Sequence, residues 1–278
     1  MDFGKAKSVL IVLFLFVNLF LIYHLLSLSD DSIRIDRTSI DDTIKLLNQR
    51  GISIDRDLIP TRLDHMDYLE LSNPLIDEDE FASTLVKSTQ KNGDTYVGEG
   101  GSLIITDGTF LWEPSDHGQN LGDNLTSRKT SNKVLDYLRK NNFPSNFLKW
   151  DNTTDLGNGT YEVHFHQHYM EQEFFHVNLT VLVYEEGILS VRGKYFEIDS
   201  VKNTGTALKS PLSILLEFST SVSANQDATI IDLTSGYYTD TSSQNYKHLP
   251  AVPCWKITLK SGETFYYDGI TSKYIPIS

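Results

Sequence analysis

An uncharged apolar run near the N-terminus is the sequence feature that most constrains this chain. Residues 8–26 read SVLIVLFLFVNLFLIYHLL and contain no Asp, Glu, Lys or Arg. A helix rises about 1.5 Å per residue, so this run matches the roughly 30 Å hydrocarbon layer of a bilayer. A cleaved signal peptide would have a shorter apolar core, of about 7–15 residues. The run therefore favours an uncleaved membrane-spanning helix.

The charges on either side of the run predict its orientation. Lys5 and Lys7 precede it, and Asp30 and Asp31 follow it. Basic residues flank the cytoplasmic end of a span, so we expect a cytoplasmic N-terminus and an extracellular ectodomain in a single-pass cell-membrane protein. The predicted order is a cytoplasmic head (1–7), a transmembrane helix (8–26) and a linker (27–38).

Asn18 is the one strongly polar residue inside the predicted span. Hydrogen bonds from such side chains to another transmembrane helix are worth about 1 kcal/mol. Two interpretations stay open: a contact with a partner helix, or a hydrogen bond to the backbone of its own helix. In the first interpretation the interface is Asn18 with the apolar residues of the same helical face, which are Ile11, Phe14, Leu15, Ile22 and Leu25.

Charge and cysteine content restrict the ectodomain. The net charge is −13, which makes the exported domain a poor candidate for binding nucleic acid or anionic lipid headgroups. The single cysteine, Cys254, excludes an intramolecular disulfide. A cysteine-poor exported domain is more typical of a Gram-positive surface than of a eukaryotic secreted protein.

The rest of the chain predicts an α+β ectodomain in two lobes. A helix from Ser39, its expected N-cap, to Arg50 opens the first lobe, and Asp107-Gly108 predicts a hairpin turn. In the second lobe, a helix followed by an antiparallel three-stranded meander occurs twice, and strand alternation indicates sheets with one buried face. The predicted bounds are a first lobe (39–112), a linker (113–124) and a second lobe (125–278) with two helix-plus-three-strand units (131–198 and 210–275).

A histidine-rich pair of strands is the sharpest constellation of polar residues. His164, His166 and His168 alternate along one strand, and His176 follows on the next. Alternation places the first three on one face and predicts that His176 lies across from His166 or His168, with Cβ atoms about 5 Å apart. Such imidazoles could bind zinc or respond to pH. A wet sheet face that happens to use histidine is the favoured interpretation, so no metal or cofactor is predicted.

No common catalytic motif accompanies these residues. The sequence has no Gly-x-Ser-x-Gly elbow, no His-Glu-x-x-His helix and no Walker loop. Cys254 stands beside Trp255 in an apolar stretch, which favours a buried, inert thiol. We therefore expect a protein that is not an enzyme and has no catalytic residues.

The N-terminal segment resembles the YycI (WalI) family of membrane-anchored regulators. The shared pattern is a Met-Asp-aromatic-x-Lys-x-Lys head followed by a span with Asn-x-Phe-Leu near its end. Near the C-terminus, the segments Tyr237-Tyr238, Pro253-x-Trp255-Lys256-Ile257 and Tyr266-Tyr267 also fit the family's general pattern. The residues that carry the N-terminal pattern are Asp2, Phe3, Lys5, Lys7, Asn18, Phe20 and Leu21.

This resemblance implies a non-enzymatic accessory protein with repeated PepSY-like units in its ectodomain. Its implied partners are the membrane, the sensor histidine kinase WalK (YycG) and the companion anchored protein YycH (WalH). The implied function is modulation of two-component signalling that controls cell-wall metabolism. Two alternatives remain: a surface cell-wall hydrolase, and a metal or pH sensor that uses the histidine face.

Overall fold

The computed structural model describes residues 3–28, 33–63, 65–87, 89–118, 121, 128–184, 187–203, 207–221, 228–240 and 246–276. Side chains of the first helix are described at positions 7 and 11–22. Across the described residues, no helix is both long and apolar enough to cross a membrane. The described α-helices are α1 (Phe3–Leu28), α2 (Arg37–Gln49), α3 (Glu78–Val86), α4 (Arg128–Lys140) and α5 (Pro211–Ser221).

Strands make up most of the remaining described structure. Those before α4 are β1 (Ile33–Arg34), β2 (Ile52–Ile54), β3 (Arg62–Leu63), β4 (Tyr68–Ser72), β5 (Gln90–Asn92), β6 (Thr95–Gly98), β7 (Gly101–Thr106) and β8 (Thr109–Pro114). Those after α4 are β9 (Leu148–Gly157), β10 (Thr160–Tyr169), β11 (Gln172–Tyr184), β12 (Gly187–Gly193), β13 (Glu197–Lys202), β14 (Ala228–Tyr238), β15 (His248–Leu259), β16 (Thr264–Asp268) and β17 (Tyr274–Ile275).

One large branched sheet organises the fold. Its main path runs β13-β4-β15-β14-β11-β12-β8-β7-β6-β5, and β9, β10, β16, β17 and β2 attach at its sides. Most neighbours are antiparallel, whereas β14 pairs in parallel with both β11 and β2. The structure confirms the predicted mixed α+β class.

The start of α2 differs from the prediction. Asp36 is the N-cap, and its carboxylate accepts hydrogen bonds from the backbone N–H groups of Thr38 (3.0 Å) and Ser39 (3.2 Å). The expectation that Ser39 caps the helix is therefore wrong. The apolar periodicity begins at Ile40, but the helix begins three residues earlier, at Arg37. Its start is set by Asp36, whose side chain satisfies the exposed N–H groups of the first turn.

Two main cores lie on this sheet, and they group the elements differently from the predicted lobes. The first core combines Phe81 of α3 and Trp112 of β8 with Val134 of α4 and Val163 of β10, so it draws on both sides of the predicted 113–124 linker. The second core packs α2 and β2 against α5, β14, β15 and β16. Segments far apart in sequence thus share one core, because α2 cannot bury its apolar face within its own segment.

Strand β11 connects the two halves of the sheet. Residues 179–184 pair with β12, while residues 173–175 pair in parallel with Gly236, Tyr237 and Tyr238 of β14. A third core of buried residues, including Phe174, Val177 and Tyr237, packs at this crossing. The crossing positions the histidines of β10 and β11.

Candidate functional site

The described part of helix α1 presents apolar side chains to solvent on every face. Among the predicted interface residues, exposure is 51% for Ile11, 69% for Phe14, 56% for Leu15 and 54% for Ile22. The Leu25 side chain lies outside the described residues. A helix that is apolar all round needs an apolar environment to cover it, either in a protein core or in a membrane.

The Asn18 side chain forms a hydrogen bond within its own helix. Its Nδ2 donates a hydrogen bond of 2.8 Å to the carbonyl oxygen of Phe14, one turn earlier. This is the second interpretation given to Asn18 from the sequence. An amide has two N–H donors and an oxygen acceptor, so the bond to Phe14 leaves the side chain with capacity for another partner.

His164 is held by hydroxyl groups on both neighbouring strands. Its Nδ1 lies 3.3 Å from Thr180 Oγ1 on β11, and its Nε2 lies 3.3 Å from Thr154 Oγ1 on β9. The Glu162 carboxylate lies 3.7 Å from Nε2 and also accepts a 2.8 Å bond from Arg192 on β12. Both imidazole nitrogens therefore have polar neighbours in a network that spans four strands.

His166 and His168 lie two residues apart on the same face of β10. Their ring centroids are 6.5 Å apart, with the planes at 77°. His168 Nδ1 is buried and has no hydrogen-bond partner among the described residues. Burial is the main reason that the pKa of His168 is lowered from its ordinary value. The prediction that alternation aligns the first three histidines on one face is confirmed.

The predicted position of His176 is wrong. The residues opposite His166 and His168 are Asn178 and Glu173. Only Gln167 lies between these two pairs on β10, whereas residues 174–177 lie between them on β11. This bulge breaks the register on which the prediction depended, and His176 adopts a left-handed backbone (φ +66°) within it.

The bulge turns His176 towards two tyrosines instead of the other histidines. Its ring centroid lies 4.9 Å from that of Tyr266 on β16 and 6.2 Å from that of Tyr238 on β14. Burial, followed by the charge of Lys256, lowers the pKa of His176. Burial also raises the pKa of Tyr266 to about 12. The four histidines therefore divide into a row on β10 and a separate aromatic cluster at the strand crossing.

This arrangement does not bring the four histidines together into the zinc site that was considered from the sequence. Across the described residues, no group of three or more His, Cys, Asp or Glu side chains is placed to hold a metal ion. Cys254 is fully buried, and burial raises the pKa of its thiol. These residues offer no activated nucleophile at the crossing.

Several residues that shape this region escaped sequence analysis. Thr154 lies on β9, a strand whose polar residues lack clear alternation, and Arg192 reaches Glu162 from 30 residues away. Gln167 is fully buried, accepts a 3.0 Å bond from the Phe196 N–H and donates a 2.6 Å bond to the Phe196 carbonyl. The sequence signal for this contact was a glutamine on the face of β10 whose preceding buried positions are apolar, Val163 and Phe165.

Comparisons of this chain with known proteins give matches among solved structures alone. No family model matches it, and no curated protein matches it. A crystal structure of an uncharacterized protein from Eubacterium rectale is similar over 82% of this chain and 90% of that chain, with 12% identity and a TM-score of 0.46. The Bacillus megaterium YpeB C-terminal domain is similar over 76% of this chain and 98% of that chain, with 10% identity and a TM-score of 0.34. Both TM-scores are too low to carry an argument about function.

Proposed function

We propose that this chain is a membrane-anchored, non-enzymatic accessory protein that modulates a sensor histidine kinase. In this proposal α1 crosses the membrane with its N-terminus in the cytoplasm, and the α+β ectodomain lies outside. The proposed partners are WalK (YycG) and YycH (WalH), and the output is two-component control of cell-wall metabolism. PepSY-like units are the proposed finer description of the ectodomain.

The observation that carries the proposal is the apolar surface of α1. Eleven of its twelve side chains at positions 11–22 are large hydrophobic groups that are 47–69% exposed. Burying apolar surface is worth about 25 cal/mol per Å², so such a surface is stable only when hydrocarbon or another helix covers it. The resemblance of the head and span to the YycI family supports the choice of partner.

Asn18 is the proposed point of contact with the kinase. Its remaining hydrogen-bonding capacity could join a partner helix while the bond to Phe14 persists. An accessory protein shifts a kinase between states only if it binds them with unequal affinity. A contact worth about 1 kcal/mol shifts that balance roughly fivefold.

Crosslinking in intact cells tests the proposal. Recovery of a histidine kinase with the full chain supports it, whereas a cell-wall substrate without a kinase would favour the hydrolase alternative. Asn18→Leu should reduce kinase recovery or target-gene output roughly fivefold. Phe16→Leu, on the opposite helical face, is the matched control and should change neither. Equal recovery for both variants would contradict the role of Asn18 but not the proposed partner.

A further inference from the structure

Strand β13 forms an open edge of the sheet beside a buried apolar layer. Among the described residues it pairs with β4 alone, and its Val201 lies directly opposite Leu69. Directly opposed residues share one face, yet Leu69 is 1% exposed and Val201 is 44% exposed. The apolar layer therefore stops at β13 with nearly half of Val201 uncovered. An edge strand also presents a row of backbone N–H and C=O groups with which a further strand can pair.

A β-bulge at Asp199 determines which residues of β13 share a face. Because this extra residue interrupts the alternation, Ile198 and Val201 both lie opposite buried leucines of β4. Ile198 also packs against the third core. The charged residues at the two ends of the strand, Glu197 and Lys202, are exposed to solvent. The strand therefore carries two inner apolar residues that are flanked by one acidic and one basic residue.

We propose that β13 pairs with β13 of a second copy of this chain, antiparallel and across a twofold axis. The register that matches the faces places Ile198 opposite Val201 of the other copy. It also places Glu197 opposite Lys202, and the twofold symmetry forms each pair twice. A shift by one residue would place apolar side chains against the solvent face of the other copy. The inference goes beyond the proposed function, because it requires neither the kinase nor the membrane.

Charge complementarity makes a second copy the best-fitting occupant of this edge. Glu197 has no cationic partner among the described residues. Lys202 pairs with Glu70 at 2.7 Å, but its side chain is 63% exposed and an ammonium group has three N–H donors. Opposite charges in directly opposed positions stabilise paired strands. One strand thus supplies both members of each charged and apolar pair, which is the self-complementarity that a twofold interface requires.

The bulge and the length of β13 set the strength of this contact. Two residues of each copy lie between the positions of Ile198 and Val201, so the bulges face each other and the register is kept on both sides. Six paired residues extend about 20 Å. A single strand edge of this length is smaller than the roughly 1,200 Å² of a stable interface. We therefore expect a dimer that dissociates on dilution and is best measured by trapping.

Disulfide trapping tests the register directly. Paired residues of antiparallel strands have Cα atoms about 4.5–5.5 Å apart, which a disulfide can bridge. The full chain with Ile198→Cys and Val201→Cys together, mildly oxidised in detergent, should form a crosslinked dimer. Each single variant should stay monomeric, because its two cysteines would lie roughly 10 Å apart along the paired strands. Native Cys254 is buried and should not react.

Charge reversal in the double-cysteine chain is an independent test. Glu197→Lys or Lys202→Glu alone places like charges opposite each other at both ends of the ladder. Each such pair is worth up to roughly fivefold, so the yield of crosslinked dimer should fall about tenfold. A mixture of the two variants should restore the yield, because one copy then offers two lysines and the other two glutamates. Val201→Cys with Ile198→Lys should abolish trapping, whereas Leu156→Lys on the edge strand β9 should leave the yield of the double-cysteine chain unchanged.

Three results would overturn the proposed dimer. They are no crosslink in the double-cysteine chain, equal crosslinking of the single variants, and no rescue by mixing the two charge-reversed variants. A dimer held by α1 alone would give the first or the third of these results. Trapping of a different protein by the double-cysteine chain in intact cells, without the dimer, would assign this edge to another partner and also overturn the proposal.

Discussion

Gly236 provides a direct test of how the two halves of the sheet are joined. It lies on β14, between Glu173 of β11 and Cys254 of β15. A Cβ atom added there would lie 2.6 Å from the Glu173 carbonyl oxygen and 2.6 Å from Cζ of Phe175. Both distances are far below normal contact, and the carbonyl belongs to the backbone, so β11 must move away from β14.

Gly236→Ala should therefore lower the free energy of unfolding by about 2–4 kcal/mol. Overpacking a close contact costs about 1–3 kcal/mol, and each weakened ladder hydrogen bond costs about 1 kcal/mol more. Urea unfolding of the full chain in detergent, followed by tryptophan fluorescence, measures the loss. Hydrogen exchange should show that protection is lost first at residues 173–175 and 236–238.

Gly262→Ala is the matched control for this substitution. No atom lies within 4 Å of a Cβ added at Gly262, but its φ of +92° disfavours alanine. We expect a loss of about 1–2 kcal/mol with no change in exchange at the crossing. A Gly236→Ala protein within about 0.5 kcal/mol of wild type, with protection at the crossing intact, would refute the reasoning.

Two further predictions concern the histidine region. Burial lowers the pKa values of His168 and His176 below their ordinary 6.5, so near this pH the unfolded chain binds more protons than the folded chain. The stability that these neutral histidines contribute should therefore be fully present above pH 6.5 and should fall as the pH drops below it. Urea midpoints at pH 7.5 and 5.5 measure this, His176→Gln should flatten the difference, and a pH-independent midpoint would contradict it. Gln167→Leu should cost about 2–4 kcal/mol because it leaves the buried N–H and carbonyl of Phe196 unpaired, and a near-wild-type urea midpoint would show that these groups find other partners.

Local sequence signals located several elements well. Asp107-Gly108 predicted a turn, and both residues adopt positive φ between β7 and β8. Alternation correctly placed three histidines of β10 on one face, because neighbouring residues of a strand point to opposite sides. The second helix-plus-three-strand unit was predicted to begin at residue 210, and α5 begins at Pro211. Each of these features depends on residues close together in the chain.

Long-range features escaped the same signals. The prediction of where His176 lies failed because a β-bulge, which residue alternation does not reveal, changes the register of β11. The second core was also hidden, since it joins α2 to α5; Arg50, just after α2, bonds Ser219 across 169 positions in the chain. Strand β9 carries mostly exposed polar residues, so it had no apolar pattern to reveal it.

The sequence by itself determined the mixed α+β class, the apolar N-terminal helix and the excess of acidic charge, since composition and short-range periodicity fix these properties. Only the tertiary structure decided which helices share a core and where His176 points. Those outcomes depend on strand register and on contacts between distant segments. Such contacts form where buried area and hydrogen bonds across the whole fold outweigh local preference.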